Sequence, residues 1–189
     1  MKWAAGFGVL FFFMSCHEST PATLEDVSMP FFGKEGVLSG ASFRDNQATI
    51  IVFLAPQCPL SENYCLTLNE LSAMYAAPGM PFYGCVSGTY FSDAEISRFL
   101  KDYQLQLPVL LDPQQDLTRL LGATVTPEVF VIDSSGAILY SGAIDNWAVD
   151  LGVKREVVTE FYLRDVLAAV QDERPVPYRQ TKPVGCFIE

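Results

Sequence analysis

Four cysteines follow position 16, at 58, 65, 85 and 186, and their surroundings give their sulfurs different prospects. Cys58 stands between a strand-forming run, Thr49-Ile50-Ile51-Val52-Phe53-Leu54, and a helical pattern that opens with Pro59-Leu60-Ser61. A thiol placed there meets unpaired backbone N–H groups and the positive end of the helix dipole, and both favour thiolate, the nucleophilic form. Pro59 suits the first helical position because its missing N–H would have no partner there anyway. Such chemistry expects Cys58 to be reachable from solvent. Cys65 lies on the same helix but about 10 Å further along the axis, beyond the roughly 7 Å Cα separation a disulfide tolerates. Cys85 sits mid-strand between apolar neighbours, and both it and Cys65 read as small core residues. Four thiols still permit three full pairings.

The elements that would hold these residues follow from periodicity. The run 49–54 is apolar without alternation, as a strand buried on both faces is. Leu60, Tyr64, Leu68, Leu71 and Tyr75 recur at three- and four-residue steps and give the next helix one face for a sheet, with Pro78-Gly79 ending it. A strand is expected at 82–86, and Ser92-Asp93-Ala94-Glu95 is a capping box for a helix running to about Tyr103. A short strand at 108–111 and a short helix at 115–121 come next. Thr126-Pro127 then precedes a second apolar strand, 128–132, which the turn Asp133-Ser134-Ser135-Gly136 pairs with 137–142. A closing helix spans about 160–170. Residues 30–40 suggest a small hairpin with a glycine turn ahead of all this. The tail 174–189 carries Pro175, Pro177 and Pro183, so it should run extended. It ends in Gly185-Cys186-Phe187-Ile188, which is too apolar for a loose terminus, and docking of the last four residues is expected. Trp147 reads as an aromatic anchoring its loop, and Glu128 as a solvated hairpin-edge residue.

A strand–Cys–helix unit followed some seventy residues later by a Thr-Pro-strand unit resembles the thioredoxin-like superfamily, and within it the redoxin branch of envelope lipoproteins. The likeness extends through Ile144-Asp145, Asp150-Leu151-Gly152, Arg155, Val176-Pro177, Thr181 and Gly185-Cys186, so it covers roughly residues 30–189. It implies an α/β three-layer fold, a central mixed sheet flanked by helices, with the N-terminal hairpin and a redoxin-type insertion. It also implies a cis peptide before Pro127, facing Cys58, with Pro59, Ser61, Thr126 and Pro127 meeting the substrate. The chain departs from the thioredoxin pattern at Ser61, where the second cysteine of C-x-x-C would stand, so the motif alone cannot complete a dithiol cycle. Either Cys58 exchanges as a monothiol with an outside thiol, or a resolving cysteine comes from elsewhere in the chain. Cys186 is the best candidate, because its tail can travel while Cys65 and Cys85 are fixed by their elements. The expected activity is thiol–disulfide exchange with protein or small thiols, with no cofactor and no metal. The likeness leaves the client, the reductant and the oligomeric state open.

Composition bounds the rest. The chain has 189 residues, 50% of them apolar and 18% charged, enough for one core. Met1-Lys2-Trp3 leads into about a dozen apolar residues, too few to span a bilayer, and reads as a signal peptide over 1–15. Ser15-Cys16 then looks like a lipoprotein processing site, although Phe13 replaces the usual leucine; Cys16 would carry the lipid and 16–29 would be a flexible tether. The domain would occupy 30–173. This organisation implies a membrane-anchored, periplasm-facing protein of the bacterial envelope, where disulfides persist. Without residues 1–15 the chain has 11 basic and 22 acidic residues, a surface that repels nucleic acid.

Three other functions use the same features. A peroxiredoxin-like peroxidase would also place a low-pKa cysteine at a helix start, but it needs Thr or Ser three residues earlier, where Ala55 stands. A copper-handling protein would use two thiols and a histidine, yet the single histidine, His17, is distant from Cys58. A binding module that has kept the fold and lost turnover is the last.

Overall fold

The computed structural model describes residues 23–76 and 79–189. The predicted signal peptide, Cys16, His17 and the helix stop at Pro78 lie outside the described residues. In chain order the elements are β1 (Ser28–Pro30), β2 (Val37–Ser39), β3 (Ala48–Phe53), α1 (Pro59–Tyr75), β4 (Phe82–Ser87), α2 (Asp93–Asp102), β5 (Val109–Asp112) and α3 (Asp116–Leu121). They continue with β6 (Val125–Thr126), β7 (Glu128–Asp133), β8 (Ile138–Gly142), β9 (Ala148–Asp150), β10 (Val153–Lys154), α4 (Tyr162–Gln171) and β11 (Cys186–Phe187). Two short 3-10 turns, Leu24–Asp26 and Gly40–Asp45, flank the first hairpin.

Five strands form the central sheet in the order β5-β4-β3-β7-β8. β3, β4 and β5 run parallel, whereas β7 is antiparallel to both β3 and β8, so the sheet is mixed. The unbroken apolar run of β3 has the predicted cause. Ile50, Val52 and Leu54 face a cluster with α1, α2 and α4, while Ile51 and Phe53 face a second cluster with α3 and the N-terminal hairpin. Helices therefore cover one face, and a helix with the hairpin covers the other, giving three layers. The segment from β4 through α2 to β5 contributes the edge strand of the main sheet.

Both sheet edges are covered. At β5, Phe32 N–H donates to Val109 O at 2.8 Å and Phe31 bridges Leu110. At β8 the C-terminal tail lies alongside: Ser141 N–H donates to Arg179 O at 3.1 Å and Thr181 N–H to Ser141 O at 3.0 Å. Pairing of this kind removes the open edge that would otherwise invite other chains.

One boundary differs from the sequence reading. The tether was expected to reach Met29, but Val27 and Met29 are buried in the second cluster and β1 begins at Ser28. Their alternation with Asp26 and Ser28 is a strand period too short to stand out among polar neighbours. Among the described residues no helix is long and apolar enough to cross a membrane.

Candidate active site

Three chain segments meet at the C-terminal end of β3. The loop Ala55–Gln57 delivers Cys58 to the N-cap of α1, with Pro59 at the first helical position. Gln57 holds a left-handed φ of 66° and ties the loop to α2 by donating to the Glu95 carboxylate at 2.7 Å. The peptide between Thr126 and Pro127 is cis, and it sets the Thr126 carbonyl oxygen 3.1 Å from Cys58 Sγ. The tail supplies the third segment: β11 pairs antiparallel with β6, setting Cys186 opposite Thr126, and Cys186 Sγ lies 2.8 Å from Cys58 Sγ. No disulfide bond joins the two sulfurs in this structure.

Close backbone approach makes this docking possible. A Cβ on Gly185 would stand 2.2 Å from the Thr126 carbonyl oxygen, so only glycine lets the tail lie against β6. Beyond it Ile188 N–H donates to Thr124 O at 3.0 Å, the Ile188 side chain joins the second apolar cluster, and the Gln115 amide donates to the Glu189 carbonyl.

The expectation that Cys58 is open to solvent is overturned. It is 2% exposed, because the tail lies over it. Ser61 likewise cannot meet a substrate: it is fully buried, and its hydroxyl accepts the Ala55 N–H at 3.2 Å. One turn into the helix it points inward and braces the loop from beneath. Thr126 and Pro127 are buried under the tail, and Pro59 is exposed at the rim. Glu128 is another correction, since it is buried rather than solvated. Its carboxylate accepts the N–H groups of Thr124 (2.8 Å) and Val125 (3.3 Å), fixing the β6 edge on which the tail lies. No spacing marks this in the sequence, because its partners are backbone N–H groups. Trp147 packs edge-on against Tyr64, whose hydroxyl donates to buried Asp145 at 2.5 Å, so it anchors its loop as read.

The two facing thiols are electrostatically unequal. Burial pushes Cys58 up, but hydrogen bonds from the Cys186 thiol, the Ser61 N–H and the Thr126 and Ser61 side chains outweigh it and hold Cys58 below the ordinary thiol range. Cys186 is pushed up to about 12, by burial first and then by its bond to Cys58. Of the two, Cys58 is the thiol whose deprotonation the surroundings favour. Burial raises Cys65 to about 12 and Cys85 well above the ordinary value, so both are inert core thiols, as their positions suggested.

Beside the pair opens a cleft of about 580 Å³, walled by Leu54, Tyr90, Phe91 and Gln115 and closed on one side by Phe187 and Ile188. Among the described residues no group of three His, Cys, Asp or Glu could hold a metal ion.

Comparison with known proteins agrees with this architecture. Residues 9–149 match the family model described as Redoxin. No curated protein is significantly similar to the chain in sequence. A hypothetical protein from Sinorhizobium meliloti superposes with a TM-score of 0.74 at 24% identity, over 86% of this chain and 89% of its own. An uncharacterized conserved protein from Geobacillus kaustophilus gives 0.72 at 22% identity, over 91% and 93%. A putative thiol:disulfide interchange protein DsbE from Chlorobium tepidum gives 0.53 at 23% identity, over 61% and 78%. These likenesses show the thioredoxin-like fold.

Proposed function

This chain belongs to the redoxin family, and on that premise we propose that it is a thiol–disulfide oxidoreductase in which Cys58 attacks and Cys186 resolves. The observation that carries this reading is the approach of two sulfurs 128 residues apart to 2.8 Å, at a helix start and beside a cis Thr126-Pro127 peptide. The Cys58 thiolate attacks one sulfur of a substrate disulfide, forms a mixed disulfide and expels the first thiolate. Cys186 gives up its proton and attacks Cys58 Sγ, forming the Cys58–Cys186 disulfide and expelling the second thiolate. Two electrons pass to the substrate, the Cys186 proton passes to solvent or a leaving thiolate, and an external dithiol returns two electrons and one proton to restore the Cys58 thiolate and the Cys186 thiol. The tail must lift for the first attack and settle again for the second.

An envelope location fits this chemistry, because the regenerating cycle needs a compartment where disulfides persist. The apolar leader 1–15 and Cys16 support export and lipid tethering, and the similar fold from Chlorobium tepidum is that of a putative thiol:disulfide interchange protein.

The test is direct. The reduced protein, oxidised with a small disulfide and digested without reduction, should yield one peptide joining Cys58 to Cys186. Cys58→Ser should abolish exchange, and Cys186→Ser should accumulate the mixed disulfide on Cys58. Free alkylation of both thiols in the oxidised protein would remove the proposed pairing.

A further inference from the structure

The surroundings of the cysteine pair are biased in charge. The cleft beside Cys58 and Cys186 has no lysine, arginine or histidine among the described residues that line it, and its one charged side chain is Glu189. On the other side of the Pro56-Gln57 loop a smaller hollow is lined by Glu62, Glu95 and Asp102 against a single cation, Arg98. Arg98 lies on the same helix as Glu95 and Asp102, which offset it. Glu62 lies in the first turn of α1, its N–H bonded to the Cys58 carbonyl at 3.0 Å, and its charge, which lines this hollow, stays on the helix when the tail lifts. The whole chain adds a net charge of −10.

We propose that this site selects its disulfide by charge, taking substrates with cationic or uncharged groups beside the sulfurs and disfavouring those with carboxylates there. The inference rests on the exchange reading above and names its substrate class. An anionic disulfide reaching the cleft meets Glu189 while the tail is docked and finds no counter-charge there once it lifts, with Glu62 across the loop and the attacking sulfur both negative. A cationic one is attracted by the same groups. The transition state spreads negative charge over three sulfurs, so a neighbouring positive charge on the substrate helps attack as well as encounter. The uncharged walls of Leu54, Tyr90 and Phe91 suit the apolar stem of such a group.

Three small disulfides of similar size separate the possibilities: cystamine, with two ammonium groups, bis(2-hydroxyethyl) disulfide, uncharged, and 3,3′-dithiodipropionate, with two carboxylates. Each is mixed at near-neutral pH with the fully reduced full-length chain, and formation of the Cys58–Cys186 disulfide is followed by mass. Each rate is divided by that of the same disulfide with free 2-mercaptoethanol, which cancels intrinsic leaving ability. At low salt the normalised rates should fall from cystamine to the neutral compound to the dicarboxylate, by roughly tenfold across the series. At about 0.5 M salt the spread should shrink to roughly twofold, since screening shortens the reach of exposed charges. Glu62→Gln combined with Glu189→Gln should narrow the spread at low salt. A flat or inverted series, in a protein whose Cys58 still reacts, overturns charge selection and leaves the exchange reading standing. If no disulfide reacts, or Cys58→Ser reacts equally well, the exchange reading falls and this proposal with it.

Discussion

At the scale of single residues, the site depends on groups that stabilise one sulfur's charge in a buried place. Ser61 illustrates the economy. Its hydroxyl oxygen accepts the Ala55 N–H, which leaves its hydrogen for Cys58, and its own N–H helps hold the thiolate. Ser61→Ala should therefore raise the Cys58 pKa, which a titration of ultraviolet thiolate absorbance reads against Cys58→Ser as blank. It should also destabilise the fold by about 1–3 kcal/mol, because the Ala55 N–H loses its acceptor; an unchanged titration would show that the serine only braces the loop. The two facing thiols link to stability with opposite signs. The depressed Cys58 contributes stability above its unfolded pKa and loses it as pH falls through the folded value. The raised Cys186 contributes fully below its unfolded pKa and loses that contribution as pH rises toward about 12. Sequence could place Cys58 at a helix start because the strand and helix patterns abut there. It could not show that Ser61 and Glu128 turn inward, since both are polar residues whose partners are backbone N–H groups that every residue carries.

At the scale of elements, β3, α1, β7 and α4 were legible because each carries an apolar period long enough to read, and their observed bounds differ by only a residue or two from the expected ones. The two-residue strands β6 and β11 have no period at all. Their pairing depends on Gly185, whose meaning lies in the Thr126 carbonyl across from it. Gly185→Ala tests this element. The added methyl would meet that carbonyl, so β11 should leave β6 and the cover over Cys58 should open. In the reduced protein, alkylation of Cys58 should accelerate by tenfold or more, while formation of the Cys58–Cys186 disulfide slows. Time-resolved mass analysis follows both, and unaltered protection of Cys58 would show that the tail does not shield it.

At the scale of the whole molecule, the tail is held at two places with different duties. The first is around Thr181, whose hydroxyl meets Tyr140 OH at 2.6 Å and accepts the Ala143 N–H at 3.0 Å. Gly142, at φ 132°, leaves room there, since a Cβ would stand 2.2 Å from the Thr181 carbonyl oxygen. Tyr178 packs edge-on against Tyr162 just before it, and Val176 and Tyr178 both adjoin the first apolar cluster. The second is the pairing of β11 with β6. Between Thr181 and Cys186 the chain spans at most about 17 Å when extended, so an undocked Cys186 still searches a small volume around Cys58 at a high effective concentration. Two truncations separate the duties. Removing residues 185–189 takes away the cover, Cys186 and the partly buried Ile188 but no fully buried core side chain, so the melting temperature of the reduced protein should fall by roughly 3 °C or less. Removing residues 174–189 also uncovers the β8 edge and strips the Tyr178 and Thr181 contacts, which should cost about 3 kcal/mol, or roughly 6–12 °C in a domain of this size. Should the two truncated proteins melt together, the Thr181 region is no firmer than the strand that moves, and the tail leaves the domain as one piece.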